Sequence, residues 1–263
     1  AVDNSAGVDT SDHEVNLKIL LTGLHNKHLI SDPQALFDEL TEAVCQQVLA
    51  NNIAQSLCLS LEEIRNTENP ADFLQVAEKL EASSFLDKTV ESFPSDKDIL
   101  SRPNQILTRP ELAVLMAAGK MYLTRHIQIE SELLPEDVST IYLEKYFPEQ
   151  ISTRYRTYLR THQLAQEIKA TVLSNKMINQ AGCRFLNVLE EHEGLTVLDY
   201  INNYLRFDDV LDGDTLRQAI YALDNQLAAA KQYELLLQLE NTLSDLCRWT
   251  LAQEKTQATP QTI

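Results

Sequence analysis

Apolar positions along this chain recur at steps of three and four, and no segment shows the period-two alternation of a half-buried strand. The spacing predicts a succession of helices. Ser11 and Glu14 form an S-x-x-E capping box ahead of Val15, Ile19 and Leu20. Asp32 followed by Pro33 reads as a cap with proline at the first helical position, leading into Leu36, Phe37, Leu40, Val44, Val48 and Leu49. Asn69-Pro70 repeats that signal for a face of Phe73, Leu74, Ala77 and Leu80. Thr108 with Glu111 opens a helix through Leu112, Leu115, Met116 and Met121. From Pro148 one long helix is predicted, carrying Ile151, Tyr155, Leu159, His162, Ala165, Ile168 and Val172 and stopping at Gly182. Shorter helices follow, one through Phe185, Leu186 and Leu189 to near Gly194, another from a Thr196 cap through Leu198, Ile201 and Leu205. Asp212-Gly213 marks a turn, and a last long helix carries Leu235, Leu239, Leu243 and Leu246. Val2 reads as the tail of a strand, residues 253–263 as a frayed polar tail, and no repeat of fixed period is present.

Composition agrees with helices. Leucine occurs 41 times against 28 valines and isoleucines together, and there are only six glycines and eight prolines. A hydrophobic share of 44% is enough to bury a core, and 263 residues allow one large domain or two small ones. The expected fold class is all-α, a helical bundle behind a short N-terminal motif. The net charge of −17 repels phosphate backbones and anionic lipid, so neither nucleic acid nor a membrane surface is an expected partner. The densest basic stretch, Arg154, Arg156 and Arg160, reads as a solvated helix face. The longest apolar run, Leu112 to Ala118, is far too short to span a bilayer, and no signal peptide is seen. Cys45, Cys58, Cys183 and Cys247 are scattered without a C-x-x-C pair, which suits reduced thiols in a cytoplasmic protein. A chain opening at Ala1 with no initiator methionine reads as a piece of something longer.

Candidate chemistry concentrates in residues 3–15. Gly7 permits a close backbone approach, and a helix N-terminus favours a carboxylate or phosphate nearby. Ser11 and Asn4 add hydrogen-bonding side chains. On spacing alone this is an ordinary capped helix. Other signals are weaker. His25 and His28 lack further ligands, so no metal is expected. His162 and Asn175 read as buried packing groups, Met116 and Met121 as core filler, and Glu190 to Glu193 as a solvated helix end.

The same N-terminal segment, Asn4-Ser5-Ala6-Gly7-Val8 followed by Ser11 and Glu14, resembles the N-A-G-G-V-x-x-S-x-x-E stretch that ends the dinucleotide-binding domain of glutamate dehydrogenases. Ser5 and Ala6 match one branch, the very large bacterial NAD-specific enzymes. The resemblance to that branch continues through Leu107-Thr108-Arg109-Pro110-Glu111-Leu112-Ala113-Val114-Leu115, Tyr146-Phe147-Pro148, the stretch from Glu167 to Asn175, Ala222-Leu223-Asp224-Asn225 and Arg248-Trp249.

The resemblance implies a C-terminal portion of such an enzyme. Residues 1–30 are then the end of an α/β dinucleotide-binding catalytic domain, residues 31–252 an all-helical C-terminal domain, and residues 253–263 a tail. The position matching Ser11 would bind the γ-carboxylate of glutamate, that matching Val8 would pack on the substrate methylenes, and that matching Asn4 would lie near the nicotinamide of NAD. No catalytic residue is expected here: nothing matches the family's catalytic lysine and aspartate, and no G-x-G-x-x-G occurs, so NAD would be held mainly by upstream residues. The parent would convert L-glutamate and NAD to 2-oxoglutarate, ammonia and NADH in the cytoplasm as a homo-oligomer, and the fragment alone is predicted inactive. The competing expectation is a free-standing helical module that binds a partner protein without catalysis.

Overall fold

The computed structural model describes the backbone of residues 5–130, 136–191 and 195–258, and the side chains of 8–130, 140–188 and 195–253. Thirteen helices and no strand occur among them. The Val2 strand tail, Asn4, Gly194 and the end of the tail lie outside the described residues, and no α/β remnant is seen within them. The chain divides into two compact units, Ala1–Leu59 with Arg109–Asn179, and Ser60–Thr108 with Gln180–Ile263.

The first unit is built on α1 (Ser5–Asn26), the first three-quarters of α2 (Pro33–Glu68), α5 (Arg109–Ile129), α6 (Glu136–Tyr146), α7 (Glu149–Arg154), α8 (Arg156–Leu159) and most of α9 (Ala165–Ala181). The start of α2 is as expected: the Asp32 carboxylate accepts from the backbone N–H of Gln34 and Ala35, both at 3.0 Å. The start of α1 is not. The helix begins at Ser5, so Ser11 lies well inside it and caps nothing, while Glu14 pairs with Lys18 one turn on. Leu17, Leu20, Leu21 and Leu24 of α1 close on Leu40, Val44 and Val48 of α2 and on Leu143, Phe147, Ile151, Leu159 and Ile168. Each leucine so buried stabilises the unit by about 1.5–3 kcal/mol.

The long helix expected from Pro148 is three pieces. Tyr155 leaves helical geometry (φ −121°, ψ 26°), and the chain turns again between Leu159 and Ala165. Its apolar pattern is nevertheless real: Ile151, Tyr155, Leu159, His162, Ala165 and Ile168 are all buried. Leu49 and Met121, placed on core faces by spacing, are instead exposed, while Met116 is buried.

The second unit holds the end of α2, α3 (Pro70–Ala82), α4 (Asp96–Leu100), α10 (Phe185–Glu191), α11 (Val197–Val210), α12 (Gly213–Tyr221) and α13 (Ala229–Ala258). Ser95 and Thr196 each form a reciprocal capping box, with Asp98 and Asp199. Gly182 stops the preceding helix at φ +78°, and a Cβ there would collide with the Glu62 carboxylate and the Arg65 guanidinium. Asp212, at φ +51°, makes the expected turn and leads into α12, which the apolar pattern does not announce. On α13 the buried stripe runs through Leu236, Glu240, Leu243, Cys247 and Leu251, and Leu235 faces solvent. The expected leucine stripe is therefore rotated, because a buried Glu240 takes a core position opposite Arg217 at 2.7 Å. Helix α13 also continues through Ala258, into the segment expected to fray.

Candidate functional site

A helix turns about 100° per residue, so α1 carries two faces with different jobs. Val8, Ser11 and Val15 share one stripe. All three are exposed, Val8 at 61% and Val15 at 50%. Of the predicted substrate contacts, Val8 and Ser11 are thus brought onto one open face, while Asn4 lies outside the described residues.

Asp9, Asp12, His13 and Asn16 form a second face, with His13 and Asn16 buried and Asp12 exposed at its rim. The Tyr146 hydroxyl donates to Asp12 Oδ2 at 2.8 Å and accepts from Asn16 Nδ2, also at 2.8 Å. Asn16 Nδ2 also reaches Asp12 Oδ1 at 3.2 Å. The His13 ring stacks on the Tyr146 ring with centroids 4.1 Å apart and planes 9° from parallel, and its Nε2 stands 3.7 Å from Asp9 Oδ1. Asn51 of α2 donates to Asp9 Oδ2 at 2.7 Å. Beyond Asn16, its backbone carbonyl accepts from His162 Nε2 at 3.0 Å, while the Leu164 N–H donates to His162 Nδ1 at 3.1 Å. The two contacts together place the proton of the neutral ring on Nε2.

The electrostatics follow from burial. Desolvation pushes His13 below the usual imidazole range, against the pull of the Asp9 and Asp12 carboxylates. It does the same to His162, against the Asn16 carbonyl and Glu167. Burial drives the Tyr146 hydroxyl well up, so it remains a donor at every physiological pH. Lys120 of α5, part-buried, is pushed down by desolvation to about 8, with Cys58 and Asp9 opposing the shift.

This face opens on a cavity of about 320 Å³ whose walls include Asp9, Asp12, His13, Gln47, Tyr146, Asn175 and Asn179. Three stretches that stand far apart in sequence meet there: the N-terminal motif, the Tyr146-Phe147-Pro148 motif and the one ending at Asn175. The buried Gln47 Oε1 and Asn179 Oδ1 find no hydrogen-bond donor. Lys145 and Lys176 also line the cavity, so it offers donors as well as acceptors. Sequence reasoning missed Asp12, His13, Asn16 and Tyr146. Their signal is the polar i, i+1, i+4 pattern of Asp12, His13 and Asn16, which reads as solvent-facing until the tyrosine is known to cover it.

Elsewhere the weaker candidates resolve into local structure. His25 Nδ1 lies 3.2 Å from the Ile30 carbonyl, and His28 occupies a left-handed turn at φ 59°. No set of three metal-ligating side chains comes together among the described residues. Nor, among them, is any helix long and apolar enough to cross a membrane. Among the described residues there is no strand–glycine turn–helix unit of the kind that cradles a pyrophosphate.

Comparison with known proteins gives two adjoining matches. Residues 104–263 match the family model described as glutamate dehydrogenase, C-terminal. Residues 1–62 match the model of the bacterial NAD-glutamate dehydrogenase catalytic domain. Among curated relatives, the NAD-specific glutamate dehydrogenase of Halomonas elongata is 32% identical over 100% of this chain. Those of Pseudomonas aeruginosa and Mycobacterium tuberculosis are 33% and 32% identical over 97% and 95% of it. The chain spans only 16% of the length of each of these relatives.

Proposed function

We propose, from the premise that this chain belongs to the bacterial NAD-specific glutamate dehydrogenase family, that it is the C-terminal part of such an enzyme. The complete protein would oxidise L-glutamate with NAD and water to 2-oxoglutarate, ammonium, NADH and a proton. This part would supply one wall of the glutamate pocket together with a helical domain, from about residue 31 to 252, that braces the catalytic domain or carries subunit contacts. NAD would be bound mainly by upstream residues, with Asn4 near the nicotinamide.

One observation carries the reading. The chain's match to the catalytic domain includes α1, and α1 leaves Val8 and Ser11 on a face that the first unit does not use for its own packing. A hydroxyl and a small apolar side chain one turn apart suit a carboxylate and the methylenes beside it. A free-standing interaction module has no comparable support, since the catalytic-domain match would then be without purpose.

The test is made on the complete enzyme, comparing wild type with Ser11→Ala on glutamate and on norvaline. Loss of one hydrogen bond to a charged group lowers kcat/KM about ten- to a hundredfold on glutamate and spares norvaline. Equal loss on both substrates, or none, overturns the role of Ser11. The purified 263-residue chain should form no NADH from glutamate, and turnover by it would overturn the placement of the catalytic groups upstream.

A further inference from the structure

Helix α13 carries two stripes, and its own unit covers only one of them. The inner stripe, Leu236, Glu240, Leu243, Cys247 and Leu251, is buried. The other lies about 120° away around the helix and holds Leu235, Leu239, Thr242, Leu246 and Trp249. Leu235 and Trp249 are exposed at 38% and 64%, Thr242 is exposed, and Leu239 and Leu246 are half-buried. A solvated helix face in so acidic a chain carries charges as a matter of course, and none of these five residues is charged. Their steps of four, three, four and three average about 3.5 residues, the repeat by which two helices pack knobs into holes. The spacing therefore calls for another helix as the cover. Covering Thr242 strands no donor, because its hydroxyl already donates to the Gln238 carbonyl at 2.8 Å.

We infer that this outer stripe is a contact between two copies of the chain, with their α13 helices antiparallel about a two-fold axis near Thr242. The stripe reads nearly alike in both directions from that residue. Apolar side chains stand seven and three residues before Thr242, and four and seven residues after it. Antiparallel pairing sets Leu235 of one copy against Trp249 of the other, and Leu239 against Leu246, with the two small threonines at the crossing. A contact between identical copies requires that self-match, and a helix of different sequence does not. Charge selects the same occupant. On the flank of the stripe this pairing brings Asp245 beside Gln238 of the other copy, so two strongly acidic chains meet there as carboxylate and amide rather than as like charges. The inference rests on the proposed function in taking the helical domain as a carrier of subunit contacts, and it names the element that makes one.

The complete enzyme carrying Thr242→Cys provides the test. Each chain has one position 242, so a disulfide joining that position to itself necessarily links two copies. After mild oxidation, peptide mapping should find this disulfide in at least about tenfold higher yield than the matching one in Asn241→Cys. Asn241 is equally exposed but faces away from the stripe. Adding Trp249→Glu to the Thr242→Cys enzyme places a carboxylate against Leu235 of the other copy, at a site too exposed to matter to the fold of one chain. It should lower the disulfide yield at least about tenfold. No disulfide at position 242, equal yields at 241 and 242, or a yield indifferent to Trp249→Glu each overturn the inference. Glutamate turnover by the same preparations keeps the two claims apart. Turnover without the disulfide sinks the α13 contact and leaves the function standing, and the disulfide without turnover does the reverse.

Discussion

Each compact unit buries a tyrosine hydroxyl against a carboxylate, and the two clusters differ in what neutralises the charge. In the second unit Tyr204 donates to Glu240 Oε2 at 2.7 Å, and a single guanidinium, that of Arg217, ties the cluster together. Its guanidinium meets Asp208 at 2.6 Å, Glu240 at 2.7 Å and the Tyr204 oxygen at 3.0 Å, with Arg217, Asp208 and Glu240 all buried. Burial opposes the charge on Arg217, but Tyr204, Glu240 and Asp208 outweigh it, and the guanidinium is held charged. In the first unit the hydrogen bonds to Asp9 and Asp12 come from amides and a hydroxyl beside a neutral-leaning imidazole, and the nearby cations are lysines rather than a clamping guanidinium: Lys145 and Lys176 line the same cavity and Lys120 feels the Asp9 charge. A closed ion cluster of the first kind fixes a fold. An open one of the second kind, lined by carboxylates, amides and lysines, leaves room for chemistry from outside.

The largest test of that contrast is Arg217→Met. It strands two buried carboxylates and should cost about 3–5 kcal/mol in urea unfolding of the chain. A cost below about 1 kcal/mol would mean the cluster is not the fastening it looks like. Tyrosine-to-phenylalanine changes sharpen the comparison, because each removes one hydroxyl. Tyr204→Phe takes a partner from both a guanidinium and a carboxylate and should cost about 1.5–3 kcal/mol. Tyr146→Phe keeps the stack on His13 and leaves Asn16 bonded to Asp12, so the expected cost is about 1 kcal/mol. Equal costs for the two would erase the distinction between a closed and an open cluster.

How much of this was legible in the sequence depends on which force decides each feature. Helix starts set by local capping, at Asp32 and Thr196, are readable because the cap and its partner lie within a few residues. The Ser11 box fails because the same S-x-x-E pattern occurs inside helices, where Glu14 simply finds Lys18. Apolar spacing found the buried side chains between Ile151 and Ile168 but not the breaks between them, since Tyr155 and His162 are buried equally well by a chain that turns. The phase of α13 is set by Glu240, whose burial makes sense only once Arg217 is known to stand opposite. The site divides in the same way. Val8 and Ser11 lie in one contiguous motif, whereas the Tyr146 cluster joins residues about 130 positions apart that no local rule connects.

The smallest expected effect concerns protons and again separates the units. All five histidines among the described residues belong to the first unit, and two of them, His13 and His162, are shifted down by burial. A histidine whose folded pKa lies below the unfolded value of about 6.5 binds fewer protons when folded, so it favours the native state fully above that value and loses the advantage as pH falls through it. The carboxylates facing the two rings, Asp9 and Asp12 for His13 and Glu167 for His162, reduce the shifts without reversing them. Hydrogen-exchange protection, corrected for intrinsic rates, should therefore fall in α1 and in the segment around His162 as pH drops from about 7.5 to 5.5. It should hold steady around Arg217. Substituting His162→Gln keeps an amide that can donate to the Asn16 carbonyl and accept from Leu164, but removes the titration. Together with His13→Phe, which preserves an aromatic ring against Tyr146, it should flatten the pH dependence of the first unit. An undiminished dependence in that double variant would move its origin to the carboxylates and away from the two buried rings.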